Sequence, residues 1–309
     1  MIAFIFPGQG SQRVGMGQAA AAAYPEAREA MAEADAALGD DLSGLCFNGP
    51  DERLVLTENT QPAILAVSIA LCRVLTARGV APSFVAGHSL GEYSAHVAAG
   101  TFSFADALRT VRRRGRYMQE AVPVGQGAMA AILGLDAATV ARACEEASQG
   151  DVVSPANLNA PGQVVIAGAR DAVARAVERA KALGAKRAIP LPVSAPFHCA
   201  LMKPAQDRLA PELRALAVSD PRVPVVANVD AQPRTDGPAA IEALVRQVSS
   251  PVRWEDVMLR LASEGVRKYV EVGPGAVLAG LGRKIVKDAT FVSIEEPAGL
   301  DAAIAALLA

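Results

Sequence analysis

Three histidines, four cysteines and a formal net charge of -2 are all that 309 residues offer toward metal, disulfide or polyanion chemistry. The cysteines (Cys46, Cys72, Cys144, Cys199) are far apart and form no CxxC pair. That excludes metal-ligand spacing and a disulfide framework, and leaves buried or idle thiols. A charge so near zero gives no global attraction to nucleic acid or to an anionic membrane. Long apolar runs are missing too: the longest, roughly Ala63 to Cys72, is too short to span a bilayer. The first residues, Met1 to Pro7, lack a basic segment and read as a strand, not a signal peptide. The expectation is a cytoplasmic monomer that binds neither membrane nor nucleic acid. With 51% hydrophobic and 20% charged residues, the chain has the composition of a folded globular protein.

The pattern along the chain is that of an α/β protein. Ile2–Phe6 is a short apolar run stopped by Pro7 and a glycine-rich turn, as in a buried parallel strand. Helical sequence follows to about Leu38, then Gln61–Arg78 reads as a largely buried helix with Pro62 near its first turn. Ser83–Ala86 is the next strand, with helices over Leu90–Ala99 and Phe104–Glu120. The texture changes after Pro123. Strand-like Ala128–Leu133, Val152–Asn157, Val164–Ala167 and Lys186–Ile189 alternate with helical Ala137–Ala147 and Asp171–Leu183. This βαββαβ order predicts a ferredoxin-like subdomain over residues 124–191, inserted between segments 1–123 and 192–309 of a larger α/β domain. Val223–Ala227, Lys268–Val272 and Thr290–Ile294 complete the strands of the larger part.

The strongest local signal is Gly87-His88-Ser89-Leu90-Gly91, after a strand and at the start of a helix. That context makes GxSxG a nucleophile elbow, with the serine hydroxyl presented where helix N-terminal N–H groups can stabilise an oxyanion. A serine nucleophile needs a base. His88 adjoins it at a sharp turn and should point away. His96 lies about 10 Å up the following helix, at 1.5 Å per residue. His198 remains, in the segment Pro196-Phe197-His198-Cys199. No acid announces itself as a third member: Asp207 and Asp220 follow His198, and Asp151 and Asp171 fall in the inserted unit. The reading is a Ser89–His198 dyad whose imidazole is oriented by a backbone or amide carbonyl.

These residues closely resemble the malonyl-CoA:acyl carrier protein transacylases of bacterial fatty acid synthesis, over essentially the whole chain. Six ordered motifs carry the likeness: Pro7-Gly8-Gln9-Gly10-Ser11-Gln12, Gly87 to Tyr93, Arg114 to Gln119, Asn157 to Gln163, Pro196 to Cys199, and Glu271 to Gly275. The resemblance implies a hydrolase-like core with a ferredoxin-like subdomain, Ser89 as nucleophile and His198 as base. It further implies that Arg114 holds the malonyl carboxylate, that Gln9 and the Leu90 backbone N–H form the oxyanion hole, and that the Gln247 backbone carbonyl orients the histidine. Asn157, Gln163 and Phe197 become substrate-binding candidates. In related polyketide acyltransferases, bulk before the base and an aliphatic residue after the serine accompany malonyl, and this chain has Phe197 and Leu90.

The residues by themselves support these roles unevenly. Gly8-Gln9-Gly10 fails the GxGxxG spacing of a dinucleotide loop. The run Arg112-Arg113-Arg114-Gly115-Arg116 would ordinarily be a solvated helix face, and only the resemblance singles out Arg114. The implied partners are malonyl-CoA and acyl carrier protein, with no cofactor beyond the coenzyme A thioester as substrate. An acidic carrier protein would need a local basic patch, for which Lys181, Lys186, Arg187, Arg113 and Arg116 are candidates. A thioesterase or esterase with the same elbow, an acyltransferase of a polyketide pathway, and a silent scaffold that binds carrier protein are the competing readings.

Overall fold

The computed structural model describes residues 1–193, 195–298 and 300–308. The strands in chain order are β1 (Ile2–Phe6), β2 (Phe84–Gly87), β3 (Gly127–Leu133), β4 (Val153–Ala160), β5 (Gln163–Ala169) and β6 (Arg187–Pro190), then β7 (Val225–Val226), β8 (Pro233–Arg234), β9 (Lys268–Val272) and β10 (Thr290–Ile294). They form two sheets. One runs β10-β9-β1-β2-β7-β8, and the other β4-β5-β3-β6.

In the first sheet β10, β9, β1, β2 and β7 are all parallel, and only the two-residue β8 runs against its neighbour. The middle strand, β1, has four consecutive fully buried residues from Ala3 to Phe6, the continuous apolar run of a strand covered on both faces. One face packs on the long helix Thr57–Ala77 and its neighbours; the other packs on Trp254, Val257, Met258 and Leu261. The Thr57–Ala77 helix is long and apolar enough to cross a membrane, but most of it is buried within the protein.

The second sheet is wholly antiparallel, with two helices, Ala137–Ser148 and Arg170–Ala182, packed over a core of its own. Its βαββαβ order and strand arrangement are those of a ferredoxin-like unit. It is tied to the larger part beside Asn157, where Leu158 N–H donates to Val252 O at 2.9 Å and Val252 N–H to Ala156 O at 2.9 Å.

Four elements depart from the expectation. The helix expected from Gln61 begins at Thr57, because the Leu56 carbonyl already accepts from the Asn59 and Thr60 N–H groups, both at 2.8 Å. Pro62 therefore sits in the second turn. The strand expected over Val223–Ala227 is only two residues long. Two short helices, Leu42–Asn48 and Asp51–Leu54, lie where no element was expected.

Candidate active site

Ser89 stands where β2 gives way to the helix Gly91–Ala99, and its φ of 52° lies in the left-handed region. An L-residue held there is strained, and the surroundings must enforce the turn. The flanking glycines allow it. A Cβ on Gly87 would lie 1.9 Å from the Gly91 carbonyl carbon, and one on Gly91 would lie 2.1 Å from Phe6 O. Two side chains clamp the turn from outside. Ser89 N–H donates to Asn228 Oδ1 at 2.7 Å, and the Ser89 carbonyl accepts from Gln247 Nε2 at 2.9 Å. Leu90 carries the first N–H of the helix, one of the donors a helix leaves without a partner in its own turns.

The structure brings His198, the histidine left by elimination, against the serine. Ser89 Oγ lies 2.7 Å from His198 Nε2. His198 Nδ1 faces the Gln247 carbonyl at 3.1 Å and the Ser250 carbonyl at 3.2 Å. Both are acceptors only, so the ring proton sits on Nδ1 and Nε2 is left free to accept the serine proton. The Gln247 carbonyl is available because the helix Gly237–Gln247 ends there, and its last carbonyls lack intrahelical donors. Burial first, and then the neighbouring Arg114 cation, push the His198 imidazole down to about 3, so it stays neutral at working pH. The other histidines serve elsewhere. His96 is fully buried with Nδ1 against Thr101 Oγ1 at 3.0 Å, and His88 bonds Asn159 Oδ1 at 2.9 Å while its ring packs on Trp254. His88 is nonetheless among the residues that line the cavity holding Ser89.

Arg114 is the one member of its basic run to turn inward, 1% exposed. Its helix approaches Thr57–Ala77 closely enough that a Cβ on Gly115 would lie 2.6 Å from Thr57 O. Its guanidinium donates to Gln61 Oε1 at 2.8 Å, Gln247 Oε1 at 2.9 Å and Ser89 Oγ at 3.1 Å. Among the described residues no carboxylate is within bonding distance, and burial lowers the pKa of this cation. Arg112, Arg113 and Arg116 instead pair outward with Asp40, Glu212 and Glu58.

These groups meet in a cavity of about 120 Å³ lined by Gln9, Gln61, His88, Ser89, Arg114, Asn157 and His198 together with the apolar Met118, Met129, Leu191, Val193 and Phe197. Gln9 is held by a 3.3 Å bond from its Nε2 to Thr57 Oγ1. Gln163 does not reach this cavity. It lines an adjoining one of about 290 Å³ that shares Gln9, His88, Asn157 and Leu191, and its Oε1 accepts from Lys284 Nζ at 3.4 Å. Leu90 is fully buried and is not among the residues that line the cavity. Asn228, Gln61, Glu92 and the amide of Gln247 were not anticipated.

The family model for the acyl transferase domain matches residues 3–301. The malonyl CoA-acyl carrier protein transacylase of Escherichia coli K12 is 57% identical over 303 residues, which is 98% of either chain. The chain belongs to the malonyl-CoA:acyl carrier protein transacylase family. Solved members superpose closely. The acyl carrier protein S-malonyltransferase of Vibrio cholerae gives a TM-score of 0.96 at 51% identity, covering 98% of this chain and 99% of that one. A malonyl-transacylase solved in complex with a type II polyketide acyl carrier protein gives a TM-score of 0.97 at 50% identity, covering 99% of each chain. The transacylase fold, a hydrolase-like α/β core with its inserted unit, is thus the one expected from the sequence.

Proposed function

We propose that the protein moves a malonyl group from malonyl-CoA to the phosphopantetheine thiol of acyl carrier protein through an ester on Ser89. The observation that carries this reading is a serine oxygen bonded at once to a neutral imidazole, at 2.7 Å, and to a buried guanidinium, at 3.1 Å. An imidazole alone would serve any acyl ester; the buried cation beside it selects an acyl group with a free carboxylate.

His198 Nε2 takes the Ser89 proton as Oγ attacks the thioester carbonyl. The oxyanion is received by the Leu90 N–H and Gln9, each such donor being worth on the order of 3 kcal/mol in the transition state. The C–S bond then breaks, and the imidazolium returns its proton to the coenzyme A sulfur. In the second half the carrier-protein thiol gives its proton to His198 and its sulfur attacks the ester. Ser89 leaves with that proton, and the malonyl thioester departs. Met118, Met129, Leu191, Val193 and Phe197 keep the ester in an apolar wall that favours a thiol over water.

A cytoplasmic, monomeric enzyme that uses no metal is part of this proposal. The test is acyl transfer from malonyl-CoA with carrier protein or water as acceptor. Faster release to water than to the thiol would favour an esterase.

A further inference from the structure

Glu92 is fully buried three residues past the nucleophile, and the reaction just described does not use it. Its Oε2 accepts from Gln247 Nε2 at 2.8 Å and from Asn228 N–H at 3.0 Å, while its Oε1 has no partner among the described residues. A carboxylate placed so deeply costs folding free energy, which a surface position on the same helix turn would avoid. Its place is explained by what the Gln247 amide touches. That amide has an acceptor-only group on one side, Glu92, and a donor-only group on the other, Arg114. Only one of its two orientations satisfies both: NH₂ toward Glu92 and the oxygen toward Arg114.

The second amide proton then goes to the Ser89 carbonyl at 2.9 Å, which also accepts from the Glu92 N–H at 3.1 Å. The Ser89 carbonyl and the Leu90 N–H are the two ends of one planar trans peptide and point opposite ways. Anchoring the carbonyl on the far side turns the N–H toward the cavity. The same amide also fixes one arm of the Arg114 guanidinium beside Ser89 Oγ, and its residue's own carbonyl holds His198.

We infer that Glu92 is a positioning residue, which fixes the Gln247 amide so that the Ser89–Leu90 peptide presents its N–H to the reacting carbonyl and Arg114 stays beside the serine. The inference rests on the acyl-transfer reading above. Burial raises the Glu92 carboxyl to about 7, against the opposing pull of its Gln247 and Asn228 hydrogen bonds. The charged or titratable groups facing it are Arg114 from the helix Phe104–Glu120, Arg234 from β8 and Tyr93 on its own helix. The ionised form is the one that accepts without donating, so activity should rise with pH through about 7. His198, at about 3, contributes no step there.

The experiment is single-turnover acylation of Ser89 by malonyl-CoA and by acetyl-CoA, followed by intact mass from pH 5 to 9, for wild type and Glu92→Gln. Glutamine keeps the size and an accepting oxygen but can present its amide either way. The expected result is a fall of about 10- to 100-fold in kcat/KM with both thioesters, the range for losing a hydrogen bond to a charged group, and loss of the step near pH 7. Wild-type rates in Glu92→Gln would overturn the inference. So would a flat wild-type profile across that range, a measurement that needs no variant. A wild type that acylates with neither thioester would instead overturn the proposed function.

Discussion

Arg114→Ala tests selectivity most sharply. The guanidinium is 1% exposed, has no carboxylate partner among the described residues and is set 3.1 Å from the nucleophile. A malonyl carboxylate bound there forms a desolvated pair, and removing one member of such a pair typically costs about 3–5 kcal/mol, because the other charge is stranded. At 1.4 kcal/mol per decade that is a loss on the order of 10²–10³-fold or more in kcat/KM for malonyl-CoA. Acetyl-CoA has no carboxylate to strand. Its use should hold or improve, since the variant loses a buried cation and His198 loses a neighbour that weakens it as a base. Arg114→Lys should recover only part of the malonyl rate, because an ammonium cannot contact Gln61, Gln247 and the substrate in one plane. The assay is the ratio of specificity constants for malonyl-CoA and acetyl-CoA in each variant. A ratio that stays within about threefold of wild type while both rates fall would make Arg114 structural and refute the argument.

Three further outcomes are expected. His198→Ala should lose about 10²–10⁴-fold in both half-reactions, whereas Cys199→Ser should be near wild type, its thiol being buried and raised to about 11; stopped-flow acylation and deacylation would check both. In Arg114→Ala the rise of the acetyl-CoA profile near pH 7 should move to higher pH, because burial raises the Glu92 carboxyl and a cation that helps hold it down is gone; an unmoved step would count against that coupling. Gly91→Ala should lower stability by roughly 3 kcal/mol or more, since its Cβ would meet Phe6 O at 2.1 Å, and a thermal melt reads this directly.

The parts of the site that follow local rules were legible in the sequence. Gly87 and Gly91 flank a serine between a strand and a helix, and the structure allows no Cβ at either. The inserted βαββαβ unit followed from alternating short elements whose periodicity changes at known places, and the observed strands fall within a residue or two for most of them. The parts that depend on distant segments were not legible. Asn228 and Gln247 meet the elbow across 139 and 158 residues, and no local pattern marks an amide that will be buried. Glu92 reads as an ordinary acid in the first turn of a helix, and only the packing of Arg114, Asn228 and Gln247 around it reveals a buried hub. Arg114 differs from its neighbours in the arginine run only by facing Gln61, a direction set by the close helix approach at Gly115.

The central claim is a covalent malonyl ester on Ser89. Incubation with malonyl-CoA alone, followed by intact mass and peptide mapping, tests it most directly. One malonyl group is expected on the peptide that contains Ser89, and none on Ser89→Ala. An adduct on Cys199 or any other residue, or undiminished labelling of Ser89→Ala, would contradict it.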